Sequence, residues 1–346
     1  MKLPFSCARL LLGIVLLWTA VDHVQGQTTR VGRFSPHEVT LSASGDYDNP
    51  YKELSADATM IEPDGRTTRR VPLFWDGGDT WRFRFAPDKL GTWTWSVESV
   101  DPGLNGRKGA FDCVASHRRG SFKPLAGSPY HFQYQNGEKV WFLGDTAWAY
   151  LTDNAEEQHD RAAAERYVSN RARQGFNAIH VMLLSEAGWG NRQGLPWTDI
   201  AKEKINPAYF QEADERIAFA NAQNVVVGLA LAWANKGRRE QYAWGKIPGF
   251  EARRRYARYV AARYAAYDVY FLVSGEWQGE IRNRKSTGEE IRQEFVRLGD
   301  VVQASDPQGR MIGIHPLGRY RGTHEFTAAS TWMSFGDYQQ NYQDLH

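Results

Sequence analysis

Cysteine is nearly absent: the 346 residues contain two, Cys7 and Cys113. Cys7 lies in the N-terminal leader, so the remainder has one thiol and no internal disulfide can staple it. Charge of one sign is lacking as well. Lysine and arginine number 42 against 40 aspartates and glutamates, a formal charge of +2. Without a basic face, nucleic acid is excluded as the main partner. Long apolar runs are reduced to one, Leu10–Ala20 (LLLGIVLLWTA), shorter than the ~20 residues a bilayer-spanning helix needs. Lys2 and Arg9 precede or flank its start and Val24-Gln25-Gly26 follows it, the layout of a secretory signal peptide cleaved after Gly26. Residues 1–26 are therefore read as an address. The mature chain is expected to lack a membrane span and to be secreted or periplasmic.

Cofactor motifs are missing too. LGDTAW, after the first apolar strand of the second half, has neither GxGxxG nor GKS/T, which removes dinucleotide and nucleoside-triphosphate chemistry. No HxH, HExxH or CxxC spacing supports a metal. No cofactor is expected. What the chain does have is aromatic surface: 13 Trp, 16 Tyr and 17 Phe, 13% of the residues. Flat rings with a polar handle suit sugar stacking as well as core packing, and composition alone favours the core. With 42% apolar and 24% charged residues, the chain reads as globular rather than disordered.

The hydrophobic period changes along the sequence. From Val31 to about Val114 short alternating runs (Glu38–Ser42, Thr59–Ile61, WRFRF at 81–85, TWTWSV at 92–97) are separated by turn clusters. This spacing predicts a small antiparallel β-sandwich over residues 27–117. Trp93 and Trp95 either fill its core or the domain interface, or form a carbohydrate-binding face. After a short linker, HFQYQ-NG-EKVWF (131–142) carries Asn136-Gly137, the signature of a hairpin with a type I′ turn.

Residues 118–346 then alternate between apolar strands and helices. Strands are expected at Val140–Gly144, Ala178–Leu184, Val225–Trp233, Val269–Ser274, Met311–His315 and Thr331–Phe335. Helices are expected over Ala155–Gln174, Pro207–Gln223, Phe250–Tyr267 and Gly288–Ala304, with Asn206-Pro207 and Thr287/Glu290 as start signals. Strands that read as continuous apolar runs are buried on both faces. The expected fold class is α/β: a (β/α)8 TIM-type barrel, incomplete with about six strands, or less favoured an open doubly wound sheet.

In such barrels, catalytic side chains come from the C-terminal strand ends. Those positions hold Asp145 and Trp148 (GDTAW), Glu186 and Trp189 (SEAGW), Trp233 and Asn235 (WAN), Glu276 and Trp277 (SGEW), His315, and Asp337 with Tyr338. Paired carboxylates are what glycoside hydrolysis needs, one to protonate the leaving oxygen and one to attack or to activate water. Glu276 is the candidate acid/base. Asp145, Trp148, Glu186, Trp189, Trp233, Trp277, His315 and Asp337 are candidate substrate-binding residues for a polysaccharide or oligosaccharide. Each has a plainer alternative: Glu276 a solvated strand end, Asp145 a helix or turn cap, Glu186 loop surface. His180 reads as a core histidine, and Arg253–Arg255 as a solvated helix face.

The barrel half resembles the apiosidase-like family of secreted glycoside hydrolases. The resemblance rests on VWFLGDTAW (140–148), QGFNAIHVML (174–183), INPAYFQEADERIAFANAQNVVVGLAL (205–231), YDVYFLVSGEW (267–277) and His315-Pro316. DNPYKEL (48–54), PDGRTTRRVPLFWDGG (63–78) and RFAPDKLGTWTWSV (84–97) resemble the β-sandwich that often precedes such barrels. The resemblance implies hydrolysis of plant or algal polysaccharide, an acid/base carboxylate at Glu276 and a sugar-binding role for Asp145. Many family members carry Asp after Gly-Gly where this chain has Ser274-Gly275-Glu276. The family's nucleophile, a glutamate on strand seven, would fall beyond the segment matching Thr331–Tyr338. A truncated barrel is therefore expected, with a non-catalytic carbohydrate-binding protein or an inactive fragment as the alternatives to an enzyme.

Overall fold

The computed structural model describes residues 29–156, 158–185, 188–234, 242–284, 286–318, 323–327 and 329–339; the leader and Glu186 lie outside them. The first part is built from strands β1 (Thr29–Gly32), β2 (His37–Ser42), β3 (Ala56–Ile61), β4 (Thr68–Pro72), β5 (Phe74–Trp75), β6 (Thr80–Phe85), β7 (Gly91–Ser99) and β8 (Lys108–Val114), with one helical turn, α1 (Pro50–Glu53). They form a five-stranded sheet in the order β1-β8-β7-β3-β4 and a three-stranded sheet β2-β6-β5. Period-two alternation sends Trp81, Phe83 and Phe85 of β6 and Trp93 and Val97 of β7 into one shared core. Trp95 packs against the same core, edge-on to Phe83 at 5.2 Å. Gly109 makes room for it, since a Cβ there would lie 2.5 Å from the indole. Both tryptophans thus serve packing.

A second sheet, β9 (Phe122–Leu125), β10 (Ser128–Tyr134) and β11 (Lys139–Val140), follows in the order β11-β10-β9. Its hairpin differs from the expected type I′ turn. Gly137 N–H donates to the Tyr134 carbonyl at 2.9 Å, and only Gly137 has positive φ (+98°), Asn136 keeping a negative one. Pairing of Gln133 with Lys139 leaves a longer loop, which a type I turn closed by a left-handed glycine accommodates.

The remaining elements are β12 (Gly144–Thr146), α2 (Arg161–Arg173), β13 (Ala178–Met182), a small hairpin β14 (Trp197–Asp199) and β15 (Lys204–Ile205), α3 (Pro207–Ala222), β16 (Val226–Ala230), α4 (Gly249–Arg263), β17 (Val269–Leu272), α5 (Gly279–Arg284), α6 (Gly288–Ser305), β18 (Ile312–Gly313) and α7 (His324–Thr327). Five parallel strands run β12-β13-β16-β17-β18, and one parallel bridge joins Ile312 to Met333. Among the described residues these strands do not close a barrel. Val140, expected to open the first parallel strand, instead pairs with Phe132 in the hairpin sheet, and the parallel strand starts at Gly144. Helix starts follow their caps: Asp160 accepts from Ala163 N–H, Asn206 from Ala208 N–H, and Thr287 with Glu290 forms a capping box.

Alternation along the strands sets two faces. Ile179, Val181, Val227, Leu229, Val269 and Phe271 point outward into the core shared with α2, α3, α4 and α6. Ala178, Val226, Tyr270 and Met311 point inward at the strand starts, where Phe122, Tyr134 and partly buried Phe132 of the hairpin sheet, with Phe142 just after it, plug that end. Met182, Ala230 and Leu272 point inward nearer the other end, beneath Trp233 and partly buried Trp148.

The two parts are joined by buried charge. The Arg263 guanidinium, fully buried on α4, donates to both carboxylate oxygens of Asp214 at 2.9 and 2.7 Å and to Asp76 of the first part at 2.8 Å. Arg84, from β6, donates to Asp214 at 2.8 Å and to the Arg263 carbonyl at 2.9 Å. The neighbouring run at 253–255 is not the solvated face expected. Arg253 is buried and donates to Glu294 at 2.7 Å and to the Trp244 carbonyl, while Arg255 pairs with Glu203. Arg254 alone of the three is exposed, beside Glu251.

Candidate active site

The C-terminal edge of the parallel sheet gathers the inward side chains that carry chemistry. Backbone pairing extends past the assigned strands: Gly275 N–H donates to the Ala232 carbonyl, Ala234 N–H to the Gly275 carbonyl, and His315 N–H to the Ser274 carbonyl. Trp233, Glu276 and His315 are thereby placed on adjacent strand ends. Glu276 itself sits at φ +44°, a left-handed conformation that costs a residue with a Cβ on the order of 1–3 kcal/mol and persists only where its surroundings impose it. The Trp233 indole Nε1–H donates to Glu276 Oε2 at 3.3 Å.

Three rings meet beside this carboxyl. Trp148 and Trp233 pack edge-on at 4.8 Å, and the His315 imidazole lies 5.6 Å from Trp148 and 5.4 Å from Trp233. His315 Nδ1 bonds Asp337 Oδ2 at 2.8 Å, so the carboxylate orients the ring and leaves Nε2 as its other polar edge. Thr323 holds Asp337 in turn, accepting from its N–H at 3.1 Å and donating to its carbonyl at 3.3 Å. Below them, His180 lies 5.8 Å from Trp148 and 5.6 Å from Tyr270. Burial pushes its pKa down to about 4, with the Asp337 charge opposing and His315 adding to the shift. His180 is therefore neutral at pH 7.

Several expected site residues lie elsewhere. Asp145 pairs across the sheet with Ile179, and on that parity it faces the helices rather than the interior. It accepts from Tyr167 OH at 2.7 Å and is ion-paired with Arg171, whose Nε lies 2.5 Å away, both residues on α2. Desolvation would raise its pKa, but Tyr167, its backbone bond and Arg171 hold it below the usual carboxylate range. Its role here is anchoring α2. Trp277 is 2% exposed and packs edge-on to Phe326 at 5.0 Å, in the core. Trp233 is 4% exposed, so its face offers no stacking platform. Trp148 is half-buried and Trp189 half-buried in the loop after β13. Glu186 and Asn235 lie outside the described residues.

Other contributors were not legible in the sequence. Gln278 is buried and accepts from Leu317 N–H at 2.8 Å, tying the loop after β17 to the loop after β18. Glu212 and Arg216 on α3 are fully shielded side chains that bind one another at 3.1 Å. Arg216 also donates to the Tyr150 and Thr152 carbonyls and to Asp153, and Glu212 accepts from Arg192. The loops bearing Trp148 and Trp189 are thus fastened to one helix. An (i, i+4) Glu–Arg pair on a helix usually signals exposed surface, which is why its role was hidden. Among the described residues, no group of three His, Cys, Asp or Glu side chains is arranged to hold a metal, and no helix is long and apolar enough to cross a membrane.

A parallel sheet with helices on its outer face, and a carboxyl, an oriented imidazole and indole rings at its C-terminal edge, defines a glycoside-hydrolase type of architecture. Residues 128–345 match the family model described as the Apiosidase-like catalytic domain, and the chain belongs to that family. Residues 30–100 match a domain of unknown function, DUF5060. No curated protein matches the chain. Among solved structures, it is similar to a provisionally assigned glycoside hydrolase from Bacteroides vulgatus, with a TM-score of 0.69 and 22% identity over 84% of this chain and 56% of that one. It is also similar to a family 5 glycoside hydrolase from Bacteroides vulgatus, with a TM-score of 0.50 and 18% identity over 63% of this chain and 44% of that one. The chain thus spans about half the length of these structures.

Proposed function

We propose that the chain acts in hydrolysis of glycosidic bonds of a plant or algal polysaccharide, with Glu276 as the general acid/base. The observation that carries this reading is the placement of Glu276 just past the C-terminal end of β17, on a left-handed residue and bonded to Trp233, the ring against which Trp148 and His315 pack. That edge is where barrel enzymes put their chemistry. In this scheme the Glu276 carboxyl protonates the leaving oxygen as the anomeric C–O bond breaks, and its carboxylate then takes a proton from the water whose oxygen bonds to the anomeric carbon, which regenerates the acid. His315 Nε2, set by Asp337, binds a sugar hydroxyl, and the half-buried Trp148 ring supplies the apolar wall. Residues 1–26 direct export, as their charged start, apolar run and small-residue end imply. Replacing Glu276 by Gln keeps shape and removes the proton. Reducing-sugar release from a panel of plant and algal polysaccharides is expected to fall by about 100-fold or more, and unchanged release would refute the assignment.

A second reading, a sugar-binding protein without turnover, is favoured by the engagement of the other strand-end carboxylates among the described residues. Asp145 is held by Tyr167 and Arg171, and Asp337 by His315. Affinity for a polysaccharide without product, insensitive to Glu276→Gln, would establish it instead.

A further inference from the structure

We infer that Trp233 is a positioning residue that fixes the Glu276 carboxyl through its indole N–H, and that Gly275 is the residue that makes this possible. The inference rests on the reading of Glu276 as the reactive carboxyl and adds to it how that group is aimed. Three observations converge. The indole is buried, so its face is closed to substrate. Its Nε1–H reaches Glu276 Oε2 at 3.3 Å. A Cβ at position 275 would lie 1.9 Å from the indole ring, well inside contact distance, so any residue other than glycine displaces Trp233.

The backbone supports the same arrangement. Trp233 bridges in parallel to both Ala243 and Gly275, and Trp244 N–H donates to the Trp233 carbonyl at 3.0 Å. Trp148 and His315 close around the ring and leave it one position. A donor held at one carboxyl oxygen restricts rotation about the last side-chain bond and so sets the orientation of the carboxyl. Glycine at position 275 is then a steric requirement of the tryptophan on the neighbouring strand.

The test reads the indole itself. In the full chain labelled with 15N-tryptophan, the signal that disappears in Trp233→Phe identifies residue 233. Between pH 3 and pH 8 that signal is expected to shift with a single carboxyl-type titration, and Glu276→Gln is expected to abolish the shift while other indole signals stay in place. Gly275→Ala should give the same loss by displacing the ring. His315, its partner Asp337 and His180 beneath Trp148 are other titratable groups close to this ring cluster. A titration that survives in Glu276→Gln therefore reports them and overturns the inference, as does a signal that never titrates. A chain that shows the coupling but releases no sugar would refute catalysis and leave the positioning role standing.

Discussion

His180 lies inside the sheet under Trp148, in a place where a charged imidazole would lose its water. Its folded pKa of about 4 lies below the ordinary 6.5. The unfolded chain therefore binds more protons than the folded one between those values. The stability from a neutral His180 is complete above pH 6.5 and is lost as pH falls toward 4. Replacing His180 by Gln is expected to flatten that part of the profile, so that the drop in urea midpoint from pH 7 to pH 4.5 becomes smaller than in the parent chain. Asp145 shows the opposite lesson at the same scale. The residue type suited a sugar ligand, but strand parity turned it toward α2, and Asp145→Asn should loosen that helix without the activity loss expected of Glu276→Gln. Protease sensitivity near α2, measured beside sugar release, separates the two effects.

At the scale of elements, α3 does more than cover the sheet. Glu212 and Arg216 lie side by side on it with no exposed side-chain surface, and their partners are in the loops that carry Trp148 and Trp189. A buried ion pair contributes little net stability by itself, but breaking one leaves an uncompensated charge. Arg216→Met is expected to lower unfolding free energy by on the order of 3 kcal/mol. Removing both charges, with Glu212→Gln added, should recover part of it. Chemical denaturation of the single and double variants decides this. The expected helix starts at Asn206 and Thr287 agree with the structure because capping is local: the side chain needs only a backbone N–H two or three residues on. The first parallel strand starts later than its apolar run predicts, because such a run (VWFLG) serves a hairpin sheet and a parallel strand equally well.

Across the whole molecule, the Arg84–Asp214–Arg263–Asp76 cluster welds the first part to the second with side chains that are almost entirely removed from water. Arg263 remains protonated, since the Asp214 and Asp76 carboxylates outweigh the cost of its burial. Asp214→Ala would leave Arg84 and Arg263 beside one another without their shared acceptor. A loss of about 3–5 kcal/mol is expected, together with earlier proteolysis between residues 114 and 122. A two-step melting curve in Asp214→Ala, against a single transition in the parent, would show that this cluster couples the two parts.

The sequence by itself determined the change from antiparallel to alternating β/α patterning, the strand-end positions and the helix caps, because each depends on neighbours within a few residues. It also pointed to Glu276 and His315, which end apolar strands. Only the tertiary structure decided which aromatic rings face the site and which fill the core. Trp148, Trp233 and Trp277 each lie just past a parallel strand, yet the first is half-buried, the second holds a carboxyl and the third packs on Phe326. Such differences depend on what neighbouring strands and helices place opposite each ring, and on a missing Cβ at Gly275, contacts that no local pattern encodes.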